Sequence, residues 1–286
     1  MTQDAAVNLQ TEIFRRGSRT YFRSSHFFPA QARSDVTVLY GFVRVADDFV
    51  DAVPAKSEEF FRFCSAFRGA WQGEASGAPV IDDFIELARR KNFQLSWIED
   101  FLSAMEADLV KKTYDHLDEV LSYVWGSAEV IGLFLCQILE LPPESHQAAC
   151  FLGRSMQFIN FLRDIAEDHG LGRRYFPLSG TGLSDLSPES CRERPKEFEA
   201  FVRSQAALYS VWQKEGAAGY HWIPRRFLIP IKTASDLYNW TAQKIQRDPW
   251  IVWRRKVKPS KIRVLATAFK NFFYAPPRPE SPKDRA

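Results

Sequence analysis

The stretch VLSYVWGSAEVIGLFLCQILEL (120–141) is the most apolar in the chain, and it leaves few options for the fold. A run of this length and character either crosses a bilayer or forms the buried central helix of a bundle. Glu129, Gln137 and Glu140 interrupt it, and Gly126, Ser127 and Gly132 are small enough for neighbouring helices to approach closely. Those features favour the bundle. The rest of the chain agrees, because alternating β-branched runs are scarce and no Asn-Gly or Asp-Gly hairpin dipeptide occurs.

Helical periodicity instead predicts helices over about 29–53, 57–71, 80–91, 96–110, 117–140, 144–168, 195–216, 224–248 and 260–273. Pro29 suits a first turn, Pro54 stops the chain, and Gly170 suits a left-handed helix end. The segment GLGRRYFPLSGTGLSDLSPES (170–190) reads as a long loop, of a kind that is often functional. No fixed repeat or domain boundary is visible. The expected fold class is all-α, a single helical domain over 1–274, followed by a disordered Pro-rich tail at 275–286.

Apolar residues make up 45% of the chain and charged residues 26%, which fits a folded globular protein. A formal charge of +3 is too small to imply nucleic acid. Cys64, Cys136, Cys150 and Cys191 are widely spaced, with no CxxC pair, so reduced thiols are expected. The opening MTQDAAVNLQTE lacks a basic-then-apolar leader pattern, and a cytoplasmic location is the expectation.

Against this background, ADDFVD (46–51) places three carboxylates at the end of an apolar helix. At 100° per residue, Tyr40, Arg44, Asp47, Asp48 and Asp51 share an arc of about 100°. Phe49 and Val50 read as the buried back of that helix. Asp47 and Asp51 are i,i+4 neighbours, a like-charge spacing that costs a helix a few tenths of a kcal/mol. The same arrangement recurs in QFINFLRDIAEDHG (157–170), where Gln157, Asn160, Asp164 and Asp168 share a face bordered by Phe158, Phe161, Leu162 and Ile165. One such pair is most simply a solvated acidic face. Two pairs, each beside an arginine (Arg44 and Arg163) and an apolar face, point to a site facing an internal cavity. Carboxylates without His or Cys are hard oxygen ligands suited to Mg²⁺, which takes one or two of them and completes its shell with water and phosphate oxygens.

The motifs GSRTYF (17–22), YGFVRVADDFVD (40–51), YVWGSAEVIG (123–132) and QFINFLRDIAEDHGLGRRYFP (157–177) resemble the squalene/phytoene synthases of isoprenoid metabolism, the last stretch most closely the phytoene-forming branch. A weaker likeness continues through SDLYNWTAQKIQ and VWRRKV to about residue 257. The resemblance implies an isoprenoid synthase fold around a central cavity. It further implies head-to-head condensation of two prenyl diphosphates through a cyclopropylcarbinyl diphosphate. By motif, Asp47, Asp51, Asp164 and Asp168 would bind Mg²⁺ (with Mn²⁺ as a substitute) and diphosphate, assisted by Asp48 and Asn160. Ser18, Arg19, Arg44, Gln157, Asn160, Arg163 and Arg173 would hold phosphate. Tyr21, Tyr40, Tyr123 and Tyr238 would line the reaction chamber. No nicotinamide cofactor is expected. Arg19 and Val43 stand where lysine and cysteine are common in the family, and neither change removes a metal ligand.

Small residues at Ser24, Ser25 and Thr37 favour two C20 geranylgeranyl diphosphates, giving 15-cis-phytoene. Two C15 farnesyl diphosphates, giving squalene, presqualene diphosphate or dehydrosqualene, are the alternative. A non-catalytic assembly protein of the same fold would be expected to lack the aspartates, and a terpene cyclase would not need paired diphosphate blocks. The basic run RRKVKPSKIR, from Arg254 to Arg263, reads either as a solvated helix face or as peripheral contact with the inner face of an anionic membrane. No nucleic-acid motif supports a third reading.

Overall fold

The computed structural model describes residues 3–17, 22 and 25–276, and every regular element among them is helical. An isolated parallel bridge between Thr113 and Arg174 is the one strand-like pairing there. No periodic segment is expected before residue 29, yet α1 (Gln3–Gly17) lies against α2 (Ala30–Asp51). Phe14 of α1 is fully buried and stacks on Tyr40 with ring centroids 4.1 Å apart.

Leu39, Phe42, Ala46 and Val50 recur at i,i+3 and i,i+4 spacing and bury one face of α2. Phe42 stacks on Phe84 of α4 (Pro79–Arg90) at 3.8 Å and 9°. It also meets Phe63 and Phe67 of α3 (Ser57–Trp71) and Phe101 of α5 (Leu95–Val110). Burying such rings is worth about 1.5–3 kcal/mol each, so this cluster fixes the rotation of α2. Its acidic side is thereby turned away from the core.

The apolar stretch forms α6 (Leu117–Ile138), which meets the length and apolarity of a membrane span but has more than half of its most apolar window buried inside the protein. A Cβ on Gly126 would lie 2.4 Å from the Asp100 carbonyl oxygen, and one on Gly132 would lie 2.6 Å from that of Ala149. The close helix approach expected from these small residues is therefore present. A π turn at Trp125–Glu129 interrupts the regular helix. Glu129, at its end, is buried and accepts hydrogen bonds from Arg154 at 2.8 and 3.2 Å.

Two expectations need correction in the next segment. The helix predicted over 144–168 is divided into α7 (His146–Arg163) and α8 (Ile165–Gly170), with Asp164 between them at φ −104° and ψ 14°. Arg163 forks onto the Asp164 carboxylate at 2.8 and 2.5 Å. Sequence neighbours do not face each other on a regular helix, so that contact suits the departure from α geometry at Asp164. The Asp168 amide still donates to the Asp164 carbonyl at 2.8 Å, which preserves the i,i+4 relation of the pair. Gly170 remains helical, and the left-handed residue is Gly172 at φ 70°.

The loop that follows leads to α9 (Pro188–Glu193), α10 (Pro195–Ala218), α11 (Arg225–Arg247), α12 (Ile251–Arg254) and α13 (Lys261–Phe272). α10 packs along α7, with Trp212 edge-on to Phe158 at 4.9 Å. All four cysteines are free thiols, three of them buried. The tail expected to be disordered lies, from residue 277, outside the described residues.

Candidate functional site

The packed back of α2 leaves Arg44, Asp47, Asp48 and Asp51 on the opposite side. Arg44 donates to Asp47 at 2.8 Å and pairs with Asp48 at 2.5 Å. Asp48 is the more exposed carboxylate of the two. Tyr40 sits one turn earlier, and burial pushes its ionisation well above the usual tyrosine range. A Cβ on Gly17 would lie 2.5 Å from the Tyr40 hydroxyl oxygen and 2.9 Å from Arg44 Cδ, so α1 ends pressed against this face. Ser18, Arg19 and Tyr21 follow Gly17 in the chain and lie outside the described residues.

On the second acidic face, Asn160 donates to the Gln157 side-chain oxygen at 3.5 Å, while its own Oδ1 is buried without a protein partner. Asp164 is held by Arg163 and reached by Lys256 at 3.2 Å. Lys256 also pairs with Glu167. The basic run therefore divides: Arg254 pairs with Asp248, Val257 is buried, and Lys256 faces the acidic site.

Arg173 joins the two faces. Its backbone amide donates to the Asp168 carbonyl at 2.8 Å, and its guanidinium donates to Asp51 at 2.6 Å and to the Val50 carbonyl at 3.2 Å. Burial opposes its charge most strongly, but the hydrogen bond to Asp51 together with the nearby Tyr175, Asp108 and Asp51 outweighs that and keeps it protonated. One residue of the long loop thus spans from the second DxxxD to the first.

Behind this bridge lies Asp108 of α5, which the motif reading misses. It is buried and accepts hydrogen bonds from Tyr123 at 2.6 Å and Tyr175 at 3.1 Å. The signal was present, since Asp108 continues the apolar stripe of Phe101 and Met105 at helical spacing. Burial raises its ionisation above the carboxylate norm, with the two tyrosines and Arg173 opposing. Tyr175 stacks on Phe161 at 4.1 Å and 7° and on Tyr114 at 5.7 Å and 21°, giving an aromatic wall. A cavity of about 210 Å³ opens beside it, with Phe161, Ile165, Asp168, Arg173 and Tyr175 in its lining. Tyr123 belongs to this wall, whereas Tyr238 is on α11, half-buried and near enough to Tyr40 to influence its ionisation.

The carboxylates are electrostatically crowded. Desolvation, reinforced by Asp51, raises Asp47 to about 7 even though Arg44 opposes it. Its side chain nevertheless keeps 32% of its surface exposed, so water still reaches the carboxylate. Asp168 is raised to about 8 by burial and then by Asp164. Among the described residues no three His, Cys, Asp or Glu side chains converge on one point. The donors are instead oxygen pairs plus the orphaned Asn160 Oδ1. That set fits Mg²⁺ completed by water and phosphate, and it offers nothing to a soft metal.

The geometry defines a helical bundle with two carboxylate-bearing faces tied by an arginine and backed by aromatic rings. The squalene/phytoene synthase family model matches residues 14–263. This chain is 26% identical to the 15-cis-phytoene synthase of Pantoea ananas, with 94% of this chain and 92% of that protein covered. It is 27% identical to the phytoene synthase of Rhodobacter capsulatus, covering 93% and 80%. A solved dehydrosqualene synthase superposes with a TM-score of 0.85 at 19% identity, over 94% of this chain and 95% of that one. The squalene synthase of Alicyclobacillus acidocaldarius gives 0.77 at 20% identity, over 86% and 95%. The architecture is the isoprenoid synthase fold. The chain belongs to the squalene/phytoene synthase family and is a prenyltransferase of that type.

Proposed function

We propose that this enzyme is a 15-cis-phytoene synthase, joining two geranylgeranyl diphosphates head to head through prephytoene diphosphate and releasing diphosphate. The observation that carries the reading is the pair of carboxylate faces joined by Arg173, in a chain similar over nearly its whole length to phytoene synthases. Ser25 is buried with its hydroxyl on the Phe22 carbonyl, and the Thr37 hydroxyl is bonded to the Arg33 carbonyl; the C20 reading rests on their small size. Ser24 lies outside the described residues.

Asp47, Asp51, Asp164 and Asp168, with Asn160 Oδ1 and Asp48 beside them, are the oxygens that would hold Mg²⁺. Bound there, the ion supplies charge neutralisation that turns diphosphate into a leaving group. The chain's own residues do the rest. Arg44, Arg163 and Arg173 already lie on the carboxylates and can turn their forks to phosphate oxygens. Gln157 orients the Asn160 amide. Tyr123, Tyr175 and Phe161 present ring faces that keep water from a carbocation and stabilise it by up to about 2 kcal/mol each when desolvated.

The test is direct. Purified protein with Mg²⁺ and geranylgeranyl diphosphate should yield a C40 hydrocarbon by mass spectrometry. Product formed only from farnesyl diphosphate would replace the C20 reading with the C15 one.

A further inference from the structure

The inner side of α13 is firmly seated. Val264, Ala268 and Asn271 are buried, and the Asn271 amide donates to Thr233 at 3.3 Å and Asp236 at 2.9 Å on α11. Its outer side is unlike a soluble surface. Ile262, Leu265, Phe269 and Phe272 are 80%, 62%, 70% and 55% exposed, and Phe273 just beyond them is 66% exposed. At 100° per residue these five share an arc of about 100°. Contiguous exposed apolar side chains of this size mark an interaction surface.

The surroundings are uniformly basic. No acidic residue occurs between Asp248 and Glu280, while Arg255, Lys258, Lys261, Arg263 and Lys270 do. A groove of about 1030 Å³ runs alongside, lined by Leu265 of the stripe and Lys261 of the basic border, with Arg15, Arg16 and Phe27 from the α1 side. Glu12 in that groove is neutralised by ion pairs to both Arg15 and Arg16.

We propose that the outer face of α13 docks this protein on an anionic lipid bilayer, with the five apolar side chains entering the acyl boundary and the basic rim meeting headgroups. An apolar centre with a cationic border is the pattern of an interfacial helix. A second copy fits less well, because a two-fold contact would set the same basic rims against each other. The chain's own tail, PRPESPKDRA (277–286), has no large apolar side chain to cover the stripe. The contact therefore centres on the α13 stripe rather than on the whole run from Arg254 to Arg263, part of which is spent on internal ion pairs. None of this depends on which diphosphate is the substrate.

Co-sedimentation of the full chain with phosphatidylcholine vesicles, with and without about 30% phosphatidylglycerol, tests the assignment. Wild type should pellet with the anionic vesicles and be released by high salt. Phe269→Ser/Phe272→Ser should weaken binding about tenfold or more, since each ring contributes apolar burial, while helical CD stays unchanged. Lys258→Gln/Lys261→Gln/Lys270→Gln should weaken binding only to the anionic vesicles. Wild type remaining in the supernatant, or the Phe double variant binding like wild type, overturns the proposal. So does a wild-type dimer on size-exclusion chromatography that the Phe double variant dissociates, which would assign the face to a second copy.

Discussion

Replacing Asp47 with asparagine should stabilise the metal-free protein while abolishing turnover. The carboxyl ionises at about 7 in the fold against 3.8 for a free aspartate side chain, chiefly through burial and then through Asp51. Between those values the folded chain holds a proton that the unfolded chain has released. Stability from this group is therefore complete below about pH 4 and is lost as pH rises through 7. At about 1.4 kcal/mol per pH unit, the whole loss is about 4 kcal/mol, of which about 3 falls between pH 5 and pH 8.5. Water reaching the carboxylate reduces it, as does the loss of the half-buried Arg44 partner, worth about 1 kcal/mol or less. Asp47→Asn should then gain about 1–3 kcal/mol on wild type between those two pH values. Urea denaturation of both proteins without divalent metal measures this, and comparing the two cancels every other titrating group. Added Mg²⁺ at pH 8.5 should raise the wild-type midpoint more than that of the variant. A stability difference that stays constant with pH, or a variant that loses ground at pH 8.5, would refute the reasoning.

Arg173→Gln removes the guanidinium bridge to Asp51 and should lower turnover about a hundredfold with an unchanged CD spectrum, since small misplacements at a reacting centre cost about that much. Arg173→Lys should recover part of it, which a purely structural role in the loop would not predict. Tyr123→Phe leaves Asp108 one donor short in a buried setting and should cost about 1–3 kcal/mol in urea denaturation.

The helical architecture was legible because the chain repeats apolar residues at helical spacing almost throughout, and α3 appears where periodicity placed it. The acidic faces were legible for the same reason, since i,i+4 spacing alone puts Asp47 beside Asp51 and Asp164 beside Asp168. What escaped depends on contacts between distant segments or on local exceptions. The break at Asp164 accompanies its own Arg163 gripping it, and the wide turn at Trp125–Glu129 sits where α6 meets both α5 and α7. Arg173 was named as a phosphate ligand, but periodicity does not carry a loop residue across to Asp51. Lys256 looked like one more charge in a basic run until the fold set it against Asp164.

The ion pairs of the two acidic faces have a consequence for how the site fills. Asp47, Asp48, Asp51, Asp164, Glu167 and Asp168 are six carboxylates, and Arg44, Arg163, Arg173 and Lys256 are four cations among them. Asp47 and Asp168 ionise only near 7 and 8, so close to neutral pH much of the excess negative charge is masked by protons. The resting site is thus nearly balanced, an ion exchanger loaded with its own counterions rather than an open negative trap. A divalent metal arriving with an anionic substrate would then exchange these internal counterions for new ones. On the proposed function, protons would leave Asp47 and Asp168, and the arginines would turn from the carboxylates to phosphate oxygens.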